Sequence, residues 1–172
     1  MRLFIALPVP ADVRRALTET QARLLRLGAR GRTVPPDNFH MTLAFLGFAA
    51  DPAPAIGALQ SVPVPKTALE FDRLALFGDV LVVLYKKNET QEQYVRALRA
   101  ALDAAGVRFD RQAFRPHITL CRKTALPSPD FRLSDAAAKP LRALRLPVRE
   151  ARLFSSDLSG GAPKYAVVFT KR

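Results

Sequence analysis

The chain has 172 residues, 49% of them apolar, with 27 Lys and Arg against 15 Asp and Glu and a formal net charge of +12. The apolar share excludes a disordered protein, and the length fits one domain or two small lobes sharing a core. The charge surplus points to an anionic partner, nucleic acid first among them, although an arginine-rich surface would look the same; the lone Cys121 excludes an intrachain disulfide and a thiolate zinc cluster and fits a reducing cytoplasm.

Leu3 to Val9 reads as a buried strand rather than a leader segment, because its apolar run is short and Pro8 and Pro10 interrupt it. No stretch approaches the roughly 20 apolar residues of a membrane span. A helix opens at Ala11-Asp12, with Val13, Leu17, Leu24 and Leu27 near one face, and Gly28 and Gly31 stop it. Val34-Pro35-Pro36-Asp37 is a loop, since the prolines deny a helix its donors. A strand is predicted from Phe39 to Gly47 and a short helix from Asp51 to Leu59. Leu69 to Phe77 and Val80 to Tyr85 form a hairpin around Gly78-Asp79. A second amphipathic helix runs from Glu89 to Ala105, with Tyr94, Leu98 and Leu102 spaced four apart and Gly106 at its end. Pro116 to Arg122 is again a strand, residues 124–140 a surface loop, and Leu144 to Phe154 and Tyr165 to Thr170 the last strands, separated by a polar loop from Ser155 to Pro163.

Two histidines occur in the whole chain, in matching contexts: His40-Met41-Thr42-Leu43 and His117-Ile118-Thr119-Leu120, 77 residues apart. The strands and helices around them repeat in a similar order, a weak internal duplication that predicts two similar lobes facing each other across a cleft. Side chains alternate along a strand, so His40 shares a face with Thr42, and His117 with Thr119. The intervening apolar residues anchor each strand. Across a cleft, two imidazoles and two hydroxyls would meet. Imidazole is the side chain suited to moving protons near neutral pH, and hydroxyls can donate to oxygens where charge accumulates. Such a set suits cyclic phosphate ester chemistry without a metal, because protonated imidazole and hydroxyls supply the electrostatics; two histidines lack the third ligand that a zinc site needs unless a carboxylate joins them.

These residues resemble the two-histidine (2H) phosphoesterase superfamily, marked by paired His-x-Thr/Ser-x motifs. More narrowly they resemble the RNA 2',3'-cyclic phosphodiesterases, also called 2'-5' RNA ligases. The segments that carry the likeness are Arg2-Leu3-Phe4-Ile5-Ala6, residues 34–47 from Val34 through His40 to Gly47, Phe114-Arg115-Pro116-His117-Ile118-Thr119-Leu120-Cys121-Arg122, and Ser155-Ser156-Asp157-Leu158 with Lys164-Tyr165. The resemblance implies one two-lobed domain over residues 1–172, of bilobal α+β fold, with antiparallel sheets lining the cleft and helices outside. It implies hydrolysis of a terminal 2',3'-cyclic phosphate on RNA to a 2'-phosphomonoester, with reverse 2'-5' ligation as a secondary activity. His40 then takes the role of proton donor, His117 that of proton acceptor, and Thr42 and Thr119 bind the phosphate. Arg122 matches a family arginine near the phosphate, although simple alternation places it on the face of Ile118 and Leu120 unless the strand twists or bulges. The same alternation puts Cys121 on the catalytic face, but a small residue of this kind reads first as buried filler. No cofactor, metal, membrane or obligate protein partner is implied, and a monomer acting on RNA ends is expected.

Two departures from the family pattern stand out: Thr33 where relatives often carry tryptophan, and Phe48 where an acidic residue often follows the glycine. Both bear on nucleoside contacts. Arg30, Arg32, Arg108, Arg111 and Arg115 cluster near the two motifs and could rim an RNA groove. Phe114 and Tyr165 read as packing before they read as substrate contacts. Two other readings keep some of these features: the same chemistry on 2'-5' oligoadenylates or small cyclic nucleotides, or an RNA-end binding module without catalysis. The last explains the charge but gives no reason for two histidines and two threonines.

Overall fold

Two antiparallel sheets divide the strands between them in a computed structural model that describes residues 1–129, 131–133, 138–160 and 163–172. In chain order the elements are β1 (Arg2–Pro8), α1 (Ala11–Arg26), β2 (Arg30–Thr33), a 3-10 turn (Pro36–Asn38), β3 (His40–Phe48), α2 (Ala53–Ser61), β4 (Thr67–Phe77), β5 (Val80–Tyr85), α3 (Glu89–Ala104), β6 (His117–Ala125), α4 (Lys139–Arg142), β7 (Arg145–Val148), β8 (Ala151–Asp157) and β9 (Lys164–Lys171). The first sheet runs β3-β1-β8-β9 and the second β2-β6-β5-β4-β7. The architecture is the expected bilobal α+β fold, with one histidine strand in each sheet.

The two long helices form for the reasons their sequences give. Pro10 precedes α1, and the Asp12 carboxylate accepts the Val13 N–H at 2.8 Å in the first turn. The Asn88 side chain caps α3 by accepting the Gln91 N–H at 3.0 Å. Their buried stripes, Val13, Ala16, Leu17, Thr20 and Leu24 on α1 and Gln91, Tyr94, Val95, Leu98 and Leu102 on α3, follow helical spacing. The destinations of the stripes are crossed. Helix α1 follows β1 of the first sheet, yet packs with α4 against β6 of the second. Helix α3, flanked in sequence by β5 and β6, packs against β3 and α2 of the first.

Three elements differ from the sequence reading. The strand expected from Leu144 to Phe154 is two strands in two sheets: β7 pairs with β4, and β8 pairs with β1. The chain changes sheets at Arg149-Glu150, where Glu150 holds both Arg152 and Arg172. β2 was not expected, because Arg30-Gly31-Arg32-Thr33 is exposed throughout and carries no apolar alternation. The loop expected over 124–140 begins only after β6 ends at Ala125 and includes α4 near its end; residues 130 and 134–137 within it, and 161–162 of the loop before Tyr165, lie outside the described residues.

The sheet registers hold the feature that shapes the cleft. On β3, Thr42 pairs with Ala6 and Ala44 with Ile5, so Leu43 is an extra residue. On β6, Thr119 pairs with Val82 and Cys121 with Leu81, so Leu120 is an extra residue. Each histidine strand therefore bulges directly after its threonine, and alternation resets there. Leu43 and Ala44 are both buried, as are Leu120 and Cys121. The next residues, Phe45 and Arg122, are returned to the side of the histidines. No described helix is long and apolar enough to cross a membrane.

Candidate active site

Each histidine ring is pinned by a backbone carbonyl two residues upstream. His40 Nδ1 lies 2.7 Å from the Asn38 carbonyl oxygen, and His117 Nδ1 lies 2.7 Å from that of Arg115. A carbonyl only accepts, so Nδ1 carries the proton in both rings and Nε2 is left to exchange one. The anchor on the first side is itself tethered: the Asn38 amide donates to the Pro163 carbonyl at 2.7 Å, tying the 3-10 turn to the segment before β9.

Aromatic rings wall both imidazoles. Phe4 lies 4.8 Å from His40, and Tyr165 meets it edge-on at 5.3 Å. Phe77 meets His117 at 5.1 Å, and the Arg115 guanidinium stacks on the same Phe77 at 4.0 Å. Tyr165 is thus part of the wall around His40 rather than core filling.

The cleft crosses the motifs over. A cavity of about 300 Å³ is lined by His40 together with Thr119 and Arg122, and by Arg32, Asn38 and Tyr165. A smaller groove is lined by His117 together with Thr42, and by Phe45, Arg99 and Phe114. Each histidine therefore opens beside the threonine of the other strand.

Arg122 reaches this space because of the bulge at Leu120, and the same bulge turns Cys121 away. Cys121 is 3% exposed and sits in the core, the place its reading as small buried filler gives it and not the face that alternation alone would assign. Of the five arginines expected at the rim, Arg32 and Arg115 line the grooves that hold the histidines. Arg111 is held by Asp103, Arg30 donates to the Leu25 and Ala29 carbonyls, and Arg108 lines a separate depression beside Phe48. Phe48, the second departure, is 86% exposed and lies away from the histidines. Thr33, the first departure, lines the larger cavity. Among the described residues, Arg122 forms no ion pair with a carboxylate. Its charge is felt by both histidines and by Tyr165.

Both imidazoles resist protonation. Burial pulls His40 down to about 4, helped by the positive charge of Arg122 and by His117, against the opposing pull of the Asn38 carbonyl. Burial also lowers His117, with Arg115 and Arg122 adding to the effect and the Arg115 carbonyl opposing it. A phosphate anion between the rings would reverse the electrostatic part by neutralising Arg122. Among the described residues no group of three His, Cys, Asp or Glu side chains is placed to hold a metal ion.

A family model described as LigT like Phosphoesterase matches the chain twice, over residues 7–85 and 84–165, once around each motif. The chain is 30% identical over 173 aligned residues to the RNA 2',3'-cyclic phosphodiesterase of Escherichia coli strain K12, covering 95% of this chain and 92% of that one. Its fold is similar to that of E. coli LigT crystallised with 3'-AMP, with a TM-score of 0.74 and 27% identity over 99% of this chain and 95% of the other. A crystal structure of a Thermus thermophilus protein is similar at a TM-score of 0.76 and 27% identity, over 99% and 96% of the two chains.

Proposed function

The chain belongs to the LigT-like phosphoesterases of the two-histidine superfamily, and on that premise we propose that it hydrolyses the 2',3'-cyclic phosphate at an RNA end to a 2'-phosphomonoester. The observation that carries this reading is the pairing of two carbonyl-pinned imidazoles, each opening beside the other strand's threonine, with the Arg122 guanidinium in the same cavity as one pair.

In this reading Nε2 of neutral His117 takes a proton from water as the water oxygen bonds to phosphorus. Protonated His40 gives its Nε2 proton to the ribose 3' oxygen as the P–O3' bond breaks. The product keeps the P–O2' bond and gains a 3' hydroxyl. Thr42 and Thr119 donate to the non-bridging oxygens, and Arg122 offsets their charge as the five-coordinate state forms. The two rings finish with exchanged protonation states and reset by exchange with solvent. Ligation through a 2'-5' linkage is the same step in the same direction, with an RNA 5' hydroxyl in place of water: its oxygen bonds to phosphorus, His117 takes its proton, and P–O3' breaks with the proton from His40. The apolar wall of the cavity, formed by Val34, Pro35, Leu158 and Tyr165, accommodates the terminal nucleoside.

The direct test is incubation with an oligoribonucleotide ending in a 2',3'-cyclic phosphate, in EDTA, with the product isomer identified. A 2'-phosphate end is the expected product. A 3'-phosphate end, or turnover that EDTA abolishes, contradicts the proposal; salt-sensitive binding without turnover would favour an RNA-end binding module instead.

The lowered imidazoles set the pH dependence. The rate at low substrate follows the fraction of free protein with His40 charged and His117 neutral. His40 near 4 and His117 below its ordinary 6.5 place a bell-shaped profile on the acid side of 6.5. Arg122 depresses both rings, so Arg122→Ala raises both and moves the bell to higher pH, besides lowering its height. A profile of kcat/KM against pH for the two proteins checks this, and an optimum that does not move in Arg122→Ala counts against Arg122 facing both rings.

A further inference from the structure

The two bulges are held in the same way, by side chains that the reaction itself does not use. At β6, the extra residue Leu120 turns its carbonyl toward α1, where Gln21 Nε2 donates to it at 2.8 Å and to the Val34 carbonyl at 3.0 Å. The Val34 N–H completes the set, donating to the Leu120 carbonyl at 2.9 Å. At β3, the carbonyl of the extra residue Leu43 faces α3, where Arg99 donates from Nε at 3.4 Å and from Nη2 at 3.3 Å. Arg99 Nη1 donates onward to the Gln112 carbonyl at 2.8 Å.

Gln21 and Arg99 hold corresponding places. Each is the eleventh residue of a sixteen-residue helix, and each reaches the histidine strand of the other half of the chain. A bulge disturbs the ladder, and each displaced carbonyl takes a donor from a helix, the Leu120 carbonyl in addition to the Val34 N–H. The two helices supply that donor with different chemistry, an amide in one case and a guanidinium in the other. What the bulge delivers also differs. One residue beyond the reset pair, β3 presents Phe45 and β6 presents Arg122.

We propose that Gln21 and Arg99 are paired positioning residues, and that Gln21, by fixing the Leu120 bulge, determines where Arg122 meets the phosphate. The inference rests on the reading of Arg122 as a phosphate-facing group. Gln21 touches neither substrate nor imidazole; it acts through the backbone of β6. Arg99 does the same for the Thr42–Phe45 segment of β3.

The test is a double-mutant cycle. Gln21→Met keeps the length and apolar stem and removes both donors. Turnover of the cyclic-phosphate oligoribonucleotide and the Kd for inorganic phosphate are measured in four proteins: the unaltered chain, Gln21→Met, Arg122→Ala and the double variant. Gln21→Met is expected to cost about tenfold in kcat/KM and several-fold in phosphate affinity, and to cost almost nothing further once Arg122 is absent. Gln21→Arg, which borrows the donor used at the other bulge, is expected to restore most of the loss. Arg99→Gln is expected to be mild and Arg99→Met severe.

Equal losses in both backgrounds would overturn the proposal, because a merely structural glutamine acts whether Arg122 is present or not. Unaltered phosphate affinity and turnover alongside a lowered Tm would do the same. If the unaltered chain binds phosphate but does not turn over the oligonucleotide, the proposed activity fails on its own; coupling of Gln21 to Arg122 in phosphate affinity would still sustain the clamp, and its absence would end it.

Discussion

Replacing His117 by alanine is expected to lower kcat on a cyclic-phosphate RNA end by roughly 10²–10⁴, and His40→Ala by a similar factor. Both variants should fold, because each ring removed leaves behind one backbone carbonyl, at Asn38 or Arg115, at a cost of about 1 kcal/mol. The two losses should not add, since a proton donor without its acceptor partner has little left to contribute. The assignment of roles is separable from the assignment of residues. An aryl phosphodiester releases a phenolate that needs no proton, so His40→Ala should recover much of its lost rate on such a substrate. His117→Ala should not, because water must still be deprotonated. Equal recovery in both variants would show that the acid and base roles are wrongly divided. Turnover unaffected by either change would remove the imidazoles from the reaction.

Gly31→Ala carries the second large effect, and it reaches the site through β2. A Cβ at this position would stand 2.6 Å from Cys121 Sγ, 2.9 Å from the Arg122 carbonyl oxygen and 3.0 Å from that of Lys123. Gly31 also has φ +151, where an L side chain is strained. Overpacking and backbone strain together should cost about 3 kcal/mol, read as a fall in Tm of about 10 °C for a chain of this size. β2 is the edge of its sheet, so part of the strain can be relieved by its moving off β6. That movement carries Arg32 and Thr33 out of the cavity wall, and phosphate affinity should fall with stability. Cys121→Ala in the same chain removes the shortest contact and leaves the other two, so it should return part of the loss. Thermal denaturation and phosphate titration of the two variants and the unaltered chain check both halves. A Gly31→Ala protein as stable as the unaltered one would show that β2 does not approach β6 this closely.

The two His-Thr pairs were legible in the sequence because His-x-Thr obeys a local rule. Two residues on one strand share a face whatever surrounds them, and each histidine finds its anchor two residues upstream. The hairpin at Gly78-Asp79 and the two long helices were legible for the same reason. The bulges were not, although a trace is there: after each threonine two consecutive apolar residues, Leu43-Ala44 and Leu120-Cys121, break the alternation. Simple alternation ran through that break, and so misplaced Cys121 and placed Arg122 on the wrong face. β2 was invisible because an edge strand exposed along its length has no burial pattern to read. The change of sheet between β7 and β8 depends on which neighbour each half finds, a matter of tertiary pairing that local propensity does not encode. The crossed helices belong to the same class, since an amphipathic stripe states that it will be buried and not against which sheet.

That crossing bears on how a duplicated chain could arise. A polypeptide with one motif and one long helix would leave the sheet of its motif strand without that helix, because each long helix packs on the sheet that carries the other motif. Two identical copies could each lend the helix to their twin, and the reciprocal pair would already hold two imidazoles and two hydroxyls about a twofold axis. Joining the copies end to end would keep both motifs and both helices in one chain. It would free the two sides to diverge, so that one could keep an aromatic ring where the other acquired a guanidinium.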